Sequence, residues 1–124
     1  MNVVDSSAWL EYFGDGPNAS EFAKAIEEPD DLVVPALTLF EVFKRTHQIA
    51  DETTALDAVA VMMQGRVVDL TPSLALDAAR TSLETGLAMA DSMILATARA
   101  EDAVLWTQDS HFNGFESVEF RPKR

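Results

Sequence analysis

Residues 1–13 read MNVVDSSAWLEYF, and their reading decides the fold. Asn2-Val3-Val4 opens a short apolar run without alternation, which predicts a strand over residues 2–5 buried on both faces. Asp5 closes that strand. Ser6 and Ser7 then stand where helix caps belong, and Trp9, Leu10 and Phe13 supply an apolar face up to the turn between Gly14 and Pro17. A strand buried on both faces and followed at once by a helix is the opening of a parallel sheet covered by helices.

The rest of the chain repeats this alternation. Asn18 and Glu21 have the spacing of a capping box, ahead of a helix whose buried stripe is Phe22, Ala23 and Ile26. DLVVPA (31–36) predicts a second buried strand, with Pro35 at its end, where a missing N–H does least harm. Thr38 is expected to cap a helix to about Ile49, on which Phe40, Phe43 and His47 share a face. A helix from Thr54 to about Met63 precedes a third strand in RVVDL (66–70). In TPSLALDAARTSLETG (71–86), Thr71 is the cap, Pro72 the first helical residue and Gly86 the stop. A helix from Asp91 follows, then AVLWT (103–107) as the fourth strand. SVEF (117–120) reads as a short edge strand and RPKR (121–124) as a loose basic tail. The pattern predicts one α/β domain over residues 1–124, a central, mainly parallel sheet between helices. In such sheets ligands gather outside the carboxyl ends of the strands.

Composition limits the function. With 21 acidic and nine basic residues the net charge is −12, so the surface repels polyanions and any chemistry on nucleic acid has to reside in a local site. Lysine occurs only at Lys24, Lys44 and Lys123, a pattern that resembles salt-adapted proteins. The absence of cysteine excludes disulfides and thiolate metal sites and suits a reducing cytosol. No apolar run approaches the ~20 residues of a membrane span. The first residues lack the basic-then-apolar pattern of a signal peptide.

Four acids fall where that sheet edge is expected. Asp5 follows the first strand and Asp109 follows the fourth by two residues. Glu41 and Asp91 lie at or near helix N-termini. Each has a plain local explanation: Thr38-x-x-Glu41 is a capping-box spacing, Asp91 and Asp5 are placed to cap helices, and Asp109 fits an Asx turn. Capping does not explain why acids recur at one edge. Carboxylates gathered there repel one another, and a divalent cation relieves the conflict. Oxygen ligands without cysteine point to Mg²⁺ or Mn²⁺ rather than zinc.

With these residues collected, the chain resembles the PIN-domain family, and within it the VapC-type toxins of toxin–antitoxin pairs. The segments that carry the resemblance are VVDSSAWLEYF, PALTLFEVFKR, MADSMILATA and LWTQDSHF, in that order over residues 3–112. The resemblance implies a three-layer α/β/α fold, Mg²⁺- or Mn²⁺-dependent cleavage of RNA, a homodimer and a cognate antitoxin protein that silences the activity. It implies an acidic quartet of Asp5, Glu41, Asp91 and Asp109 as catalytic and metal-binding residues, with Asp5 and Asp91 the most direct ligands. Ser6, Ser7 and Thr107 are implied as supporting hydroxyls.

Other residues stand beside that core reading. Lys44 and Arg45 follow Glu41 at i+3 and i+4, placed for a phosphate contact or for a surface pair on the helix. His111 reads as a loop histidine beside the site, with a catalytic helper as the alternative, and His47 as a helix-face residue. Trp9, Tyr12, Phe13, Phe40 and Phe43 read mainly as core, with some available to line an antitoxin groove. Two other acid-after-strand chemistries fit less well. A haloacid-dehalogenase-like phosphatase needs a second acid at position 7, which is Ser7. A receiver domain wants a lysine beyond a late strand, and none lies between Lys44 and Lys123.

Overall fold

The strand around Val3 and Val4 lies at the middle of the sheet, because both side-chain directions along it are apolar. Val3 and Val4 are both fully buried, as are Val33 and Val34 on the neighbouring strand. The computed structural model describes residues 1–124. Its elements are β1 (Asn2–Val4), α1 (Ser6–Phe13), α2 (Ala19–Ile26), β2 (Leu32–Pro35), α3 (Ala36–Ile49), α4 (Glu52–Met62), β3 (Arg66–Val68), α5 (Pro72–Thr85), α6 (Met89–Ala100), β4 (Val104–Thr107) and β5 (Val118–Phe120). The sheet order is β3-β2-β1-β4-β5, and every pairing is parallel.

That order sets the layers. The chain moves from β1 outward to β3, then returns past β1 to add β4 and β5. Parallel crossovers are right-handed, so helices before and after the reversal lie on opposite faces. Val4, Val34 and Leu32 pack with Ala8 and Trp9 of α1, Phe22 and Ile26 of α2, Val42 of α3 and Met62 of α4. Val3, Val33 and Leu105 pack on the other face with Ile94, Leu95 and Ala98 of α6 and with Phe112, while α5 joins α6 through Leu74, Ala78 and Ala96. This is the expected three-layer α/β/α arrangement, and no helix is long and apolar enough to cross a membrane.

Several local signals read as expected. Thr71 caps α5, its hydroxyl accepting from Leu74 N at 3.2 Å, and Gly86 ends that helix at φ +77°, a conformation natural to glycine. Gly65 has a different reason: a Cβ there would come within 2.9 Å of Val34 Cγ2 and 3.0 Å of Leu32 O.

Other signals read differently in three dimensions. Helix α3 begins at Ala36 behind Pro35, so Thr38 is no cap. It is buried, and its hydroxyl donates back to Pro35 O at 2.7 Å. Helix α6 begins at Met89 with Ala88 at its N-cap, which places Asp91 inside the first turn. Helix α4 begins at Glu52, where Asp51 accepts from Thr54 N at 2.7 Å. Asn18 makes no capping bond. Its side-chain amide reaches Gln108 Oε1 at 3.1 Å and Pro122 O at 2.9 Å. The expected loose tail is therefore held in its first half, where Arg121 N also donates to Thr107 O at 2.9 Å. Phe40 is not core: it is 62% exposed. It forms one wall of an open apolar groove of about 560 Å³ with Leu39, Phe43, His47 and Val59.

Candidate active site

The order of the strands reverses between β1 and β4, and the segments that follow their carboxyl ends leave to opposite faces of the sheet. Asp5 and Asp109 stand on the two sides of the gap this leaves. Asp5 continues β1 by donating its N–H to Trp106 O at 2.9 Å. Its side chain is 3% exposed. Two hydroxyls, Ser7 Oγ at 2.6 Å and Thr107 Oγ1 at 2.9 Å, donate to Asp5 Oδ2. This leaves Oδ1 for another partner. By position Asp5 is the N-cap of α1, yet its carboxylate makes no capping bond. It is turned to the hydroxyls instead.

Thr107 ties the two sides together. Its oxygen also accepts from Asp109 N at 2.9 Å, so one threonine orients one acid and fixes the backbone of another. Asp109 Oδ1 accepts from His111 N at 2.9 Å, the Asx turn its sequence suggests. The turn and a site role coexist, because a carboxylate has a second oxygen.

Glu41 enters from α3. Ser6 Oγ donates to Glu41 Oε1 at 2.7 Å, linking the start of α1 to α3 across 35 residues of chain. A capping bond within α3 is ruled out by the helix start at Ala36. Asp91 enters from the first turn of α6, where a carboxylate is favoured by the helix dipole. The buried run Ile94 to Ala98 behind it anchors the helix.

The electrostatics record the convergence. Burial pushes the Asp5 carboxyl above its ordinary value, with the charge of Asp109 adding, against the hydrogen bonds from Ser7 and Thr107. Burial likewise raises Glu41, which Ser6 opposes and the charge of Asp5 reinforces. Asp91 is raised by burial first and then by Asp109, Asp5 and Glu41, while His111 lowers it. Four carboxylates drawn from four separate stretches of chain thus feel one another at one edge. Neither Lys nor Arg lies within pairing distance of any of them.

The expected helpers are placed unequally. Ser6, Ser7 and Thr107 all bond to site carboxylates. Lys44 and Arg45 are exposed on α3 beyond Glu41, and the Lys44 ammonium lies 5.7 Å from the centre of the Phe40 ring. His111, read from sequence as a loop residue, stands closer to the acids than that reading implies. Its Nδ1 is 3.2 Å from Asp109 Oδ1 and 3.5 Å from Asp91 Oδ2. Oxygens of Asp91 and Asp109 and a ring nitrogen of His111 all lie within 4.8 Å of one another, a spacing one metal ion can span. The signal was the DSH spacing, which puts His111 two residues after an acid held by an Asx turn. Hydroxyl-oriented, mutually repelling oxygen donors suit a hard divalent cation, and the set fits Mg²⁺ or Mn²⁺.

Comparison with known proteins bears on the fold and the family. No curated protein sequence matches the chain. Among solved structures, a toxin–antitoxin complex from Klebsiella pneumoniae is similar with a TM-score of 0.83 at 18% identity, covering 100% of both chains. A sarcin–ricin-loop-cleaving VapC toxin from Mycobacterium tuberculosis gives 0.77 at 18% identity, covering 95% of this chain and 98% of its own. A DNA-bound VapBC complex from Salmonella typhimurium gives 0.75 at 14% identity, covering 98% and 97%. At these identities the likeness is one of fold. The PIN domain family itself matches residues 3–117, a span that holds β1 to β4 and all four acids, and the chain belongs to that family.

Proposed function

We propose that this protein is a metal-dependent endoribonuclease, the toxin of a toxin–antitoxin pair, acting in the cytosol. The observation that carries the reading is the set of Asp5, Glu41, Asp91 and Asp109, raised or facing one another at the sheet's switch point with no Lys or Arg to neutralise them. Burial and mutual repulsion in a crevice are how functional carboxylates are arranged, and a bound cation relieves both. Asp5 and Asp91, with Asp109 and Glu41 directly or through water, are the groups that hold Mg²⁺ or Mn²⁺. His111 is positioned to join them. A bound divalent ion supplies Lewis-acid stabilisation of the phosphodiester and lowers the pKa of water.

The protein's own groups do the rest. Ser7 and Thr107 hold Asp5 Oδ2, so the carboxylate cannot rotate as substrate enters. Ser6 fixes Glu41, which faces Asp5 across the crevice and is placed to orient a water and accept its proton. Water adds to phosphorus and the ribose 3′ oxygen leaves with a proton, giving 5′-phosphate and 3′-hydroxyl ends. No side chain is a nucleophile in this scheme.

The partner reading rests on the surface. The groove of Leu39, Phe40, Phe43 and Val59 between α3 and α4 suits the apolar face of an antitoxin helix. Leu76 and Leu83, exposed one above the other on α5, offer a second copy a separate contact. The structural relatives that are toxin–antitoxin complexes support this assignment.

The test is cleavage of structured RNA with Mg²⁺ or Mn²⁺ by wild type, Asp5→Asn and Asp91→Asn proteins. Cleavage by wild type alone is expected. Equal cleavage by all three indicates a contaminant and removes the mechanism. Binding of RNA without cleavage by any of them favours a catalytically silent binding module.

A further inference from the structure

A protein of net charge −12 that draws phosphates to an acidic crevice depends on where its few cations stand. Five of its nine Lys and Arg side chains pair with carboxylates: Lys24, Arg66, Arg80, Arg99 and Arg121. Lys44, Arg45, Lys123 and Arg124 have no carboxylate within 4.0 Å. These four form two pairs. One pair follows Glu41 on α3 and the other follows β5.

The second pair belongs to the site's edge. Strand β5 runs parallel to β4 with Phe120 opposite Thr107, so the residues beyond it emerge beside Asp109. They are fastened there. Arg121 N donates to the carbonyl of Thr107, the residue whose hydroxyl holds Asp5. Asn18, wholly buried, donates through one amide nitrogen both to Pro122 O and to the side chain of Gln108, which lies between Thr107 and Asp109. The Arg121 guanidinium rests 5.6 Å from the centre of the Trp106 ring and donates to Phe120 O at 3.2 Å. Arg121 Nε also lies 3.8 Å from Glu21 Oε1 on α2. On α3, Lys44 lines the apolar groove with its ammonium 5.7 Å from the centre of the Phe40 ring, and Arg45 is exposed beside it. The sheet order puts α3, which follows β2, and the end of β5 on opposite sides of the β1–β4 gap.

We propose that residues 121–124 are a phosphate-binding strip of the active site, pinned by Asn18 to the Thr107–Asp109 loop so that Lys123 and Arg124 hold the backbone of a single-stranded RNA. The inference rests on the ribonuclease reading and adds the path of the substrate to it. A buried amide that serves as a clamp on a basic segment, rather than as a helix cap, has a use in that role.

The experiment compares wild type with Lys123→Ala/Arg124→Ala, and with Arg66→Ala/Arg80→Ala, which loses the same charge away from the strip. Removing the strip's cations should raise KM for single-stranded RNA about tenfold. It should also make the dependence of log(1/KM) on log salt shallower by about 1.4, two phosphates at ~0.7 each. The loss with RNA should exceed the loss with bis(p-nitrophenyl) phosphate, which has no backbone to hold, and the control variant should keep the wild-type salt slope. Asn18→Leu, checked for folding by its melting temperature, should move KM in the same direction without changing charge. RNA binding in an Asp5→Asn/Asp91→Asn background separates the two claims. If wild type cleaves nothing but binding there loses salt slope with the strip, the strip stands and the nuclease reading falls. If wild type cleaves while affinity and slope ignore Lys123 and Arg124, the strip is overturned, and those cations serve another contact, such as an acidic protein.

Discussion

Phe40 and Glu41 are neighbours on α3, yet they belong to two regions with opposite needs. Glu41 turns inward to Ser6 and the acidic crevice, while Phe40 turns outward to the apolar groove over α4. The crevice gathers negative charge without cations. The groove gathers aromatic and aliphatic surface in contact with water. A helix advances 100° per residue, so one element can serve two surfaces whose partners share no chemistry. On the proposed function the crevice takes a metal and a phosphodiester, and the groove an apolar face of protein. On that proposal, activity and its control should be separable by mutation.

The sharpest break in that comparison is expected at the crevice. Asp5→Asn or Asp91→Asn should lower RNA cleavage by on the order of 100-fold or more, the scale at which single preorganised groups act in the transition state. Both variants should still bind antitoxin, as measured by co-purification or titration. Loss of both properties in one variant would merge the two regions. At the groove, Phe43→Glu should weaken antitoxin binding by about 2 kcal/mol, roughly 30-fold, because a charge then enters an apolar contact. Its RNA cleavage should stay at the wild-type level, since Phe43 touches none of the carboxylates.

Smaller effects test how the crevice is built. Thr107→Val keeps shape but removes the hydroxyl shared by Asp5 and Asp109 N. Activity should fall about tenfold, the scale of lost support for a ligand, with little change at the groove. Added Mg²⁺ at ten times its Kd should stabilise the fold by about 1.4 kcal/mol, read as a rise in melting temperature that EDTA reverses. Asp5→Asn should lose that rise, whereas Phe43→Glu should keep it.

The mildest test is pH. Asp5, Glu41 and Asp91 are raised in the folded state by burial first and by one another second. The folded protein therefore holds more protons than the unfolded chain between the ordinary and raised values. Stability of the metal-free protein should fall as pH rises through that window, the reverse of an ordinary salt-bridged carboxylate. Denaturation followed upward in pH from the ordinary carboxylate value should show the decline, and Asp91→Asn should flatten it. A stability that instead rises through this range would mean that the acids are compensated within the protein.

Much of this was legible in residues 1–13 and their echoes. Continuous valine runs predicted strands buried on both faces, and Thr71, Pro72 and Gly86 set the limits of α5 because caps act through bonds two or three residues away. The misreadings share a cause. Thr38, Asn18 and Asp91 all carry oxygens fit for capping, and local sequence cannot tell whether a nearer or better partner arrives from elsewhere. Asn18 reached for Gln108 and Pro122, about 90 and 104 residues away. Phe40 and Phe43 fit a core stripe by period, but α3 presents its apolar residues to two sides, only one of which the sheet covers.

Sequence alone determined the class of fold, the order of strands and helices, and the presence of four acids near strand ends and helix starts, since these depend on short-range periodicity and composition. Only the tertiary structure decided which oxygens meet. The reversal of strand order between β1 and β4 opens the crevice. Thr107 and Ser7 aim Asp5, and His111 comes within reach of Asp91 and Asp109. Those contacts join residues up to about 100 positions apart, and their geometry follows from packing rather than from any local preference.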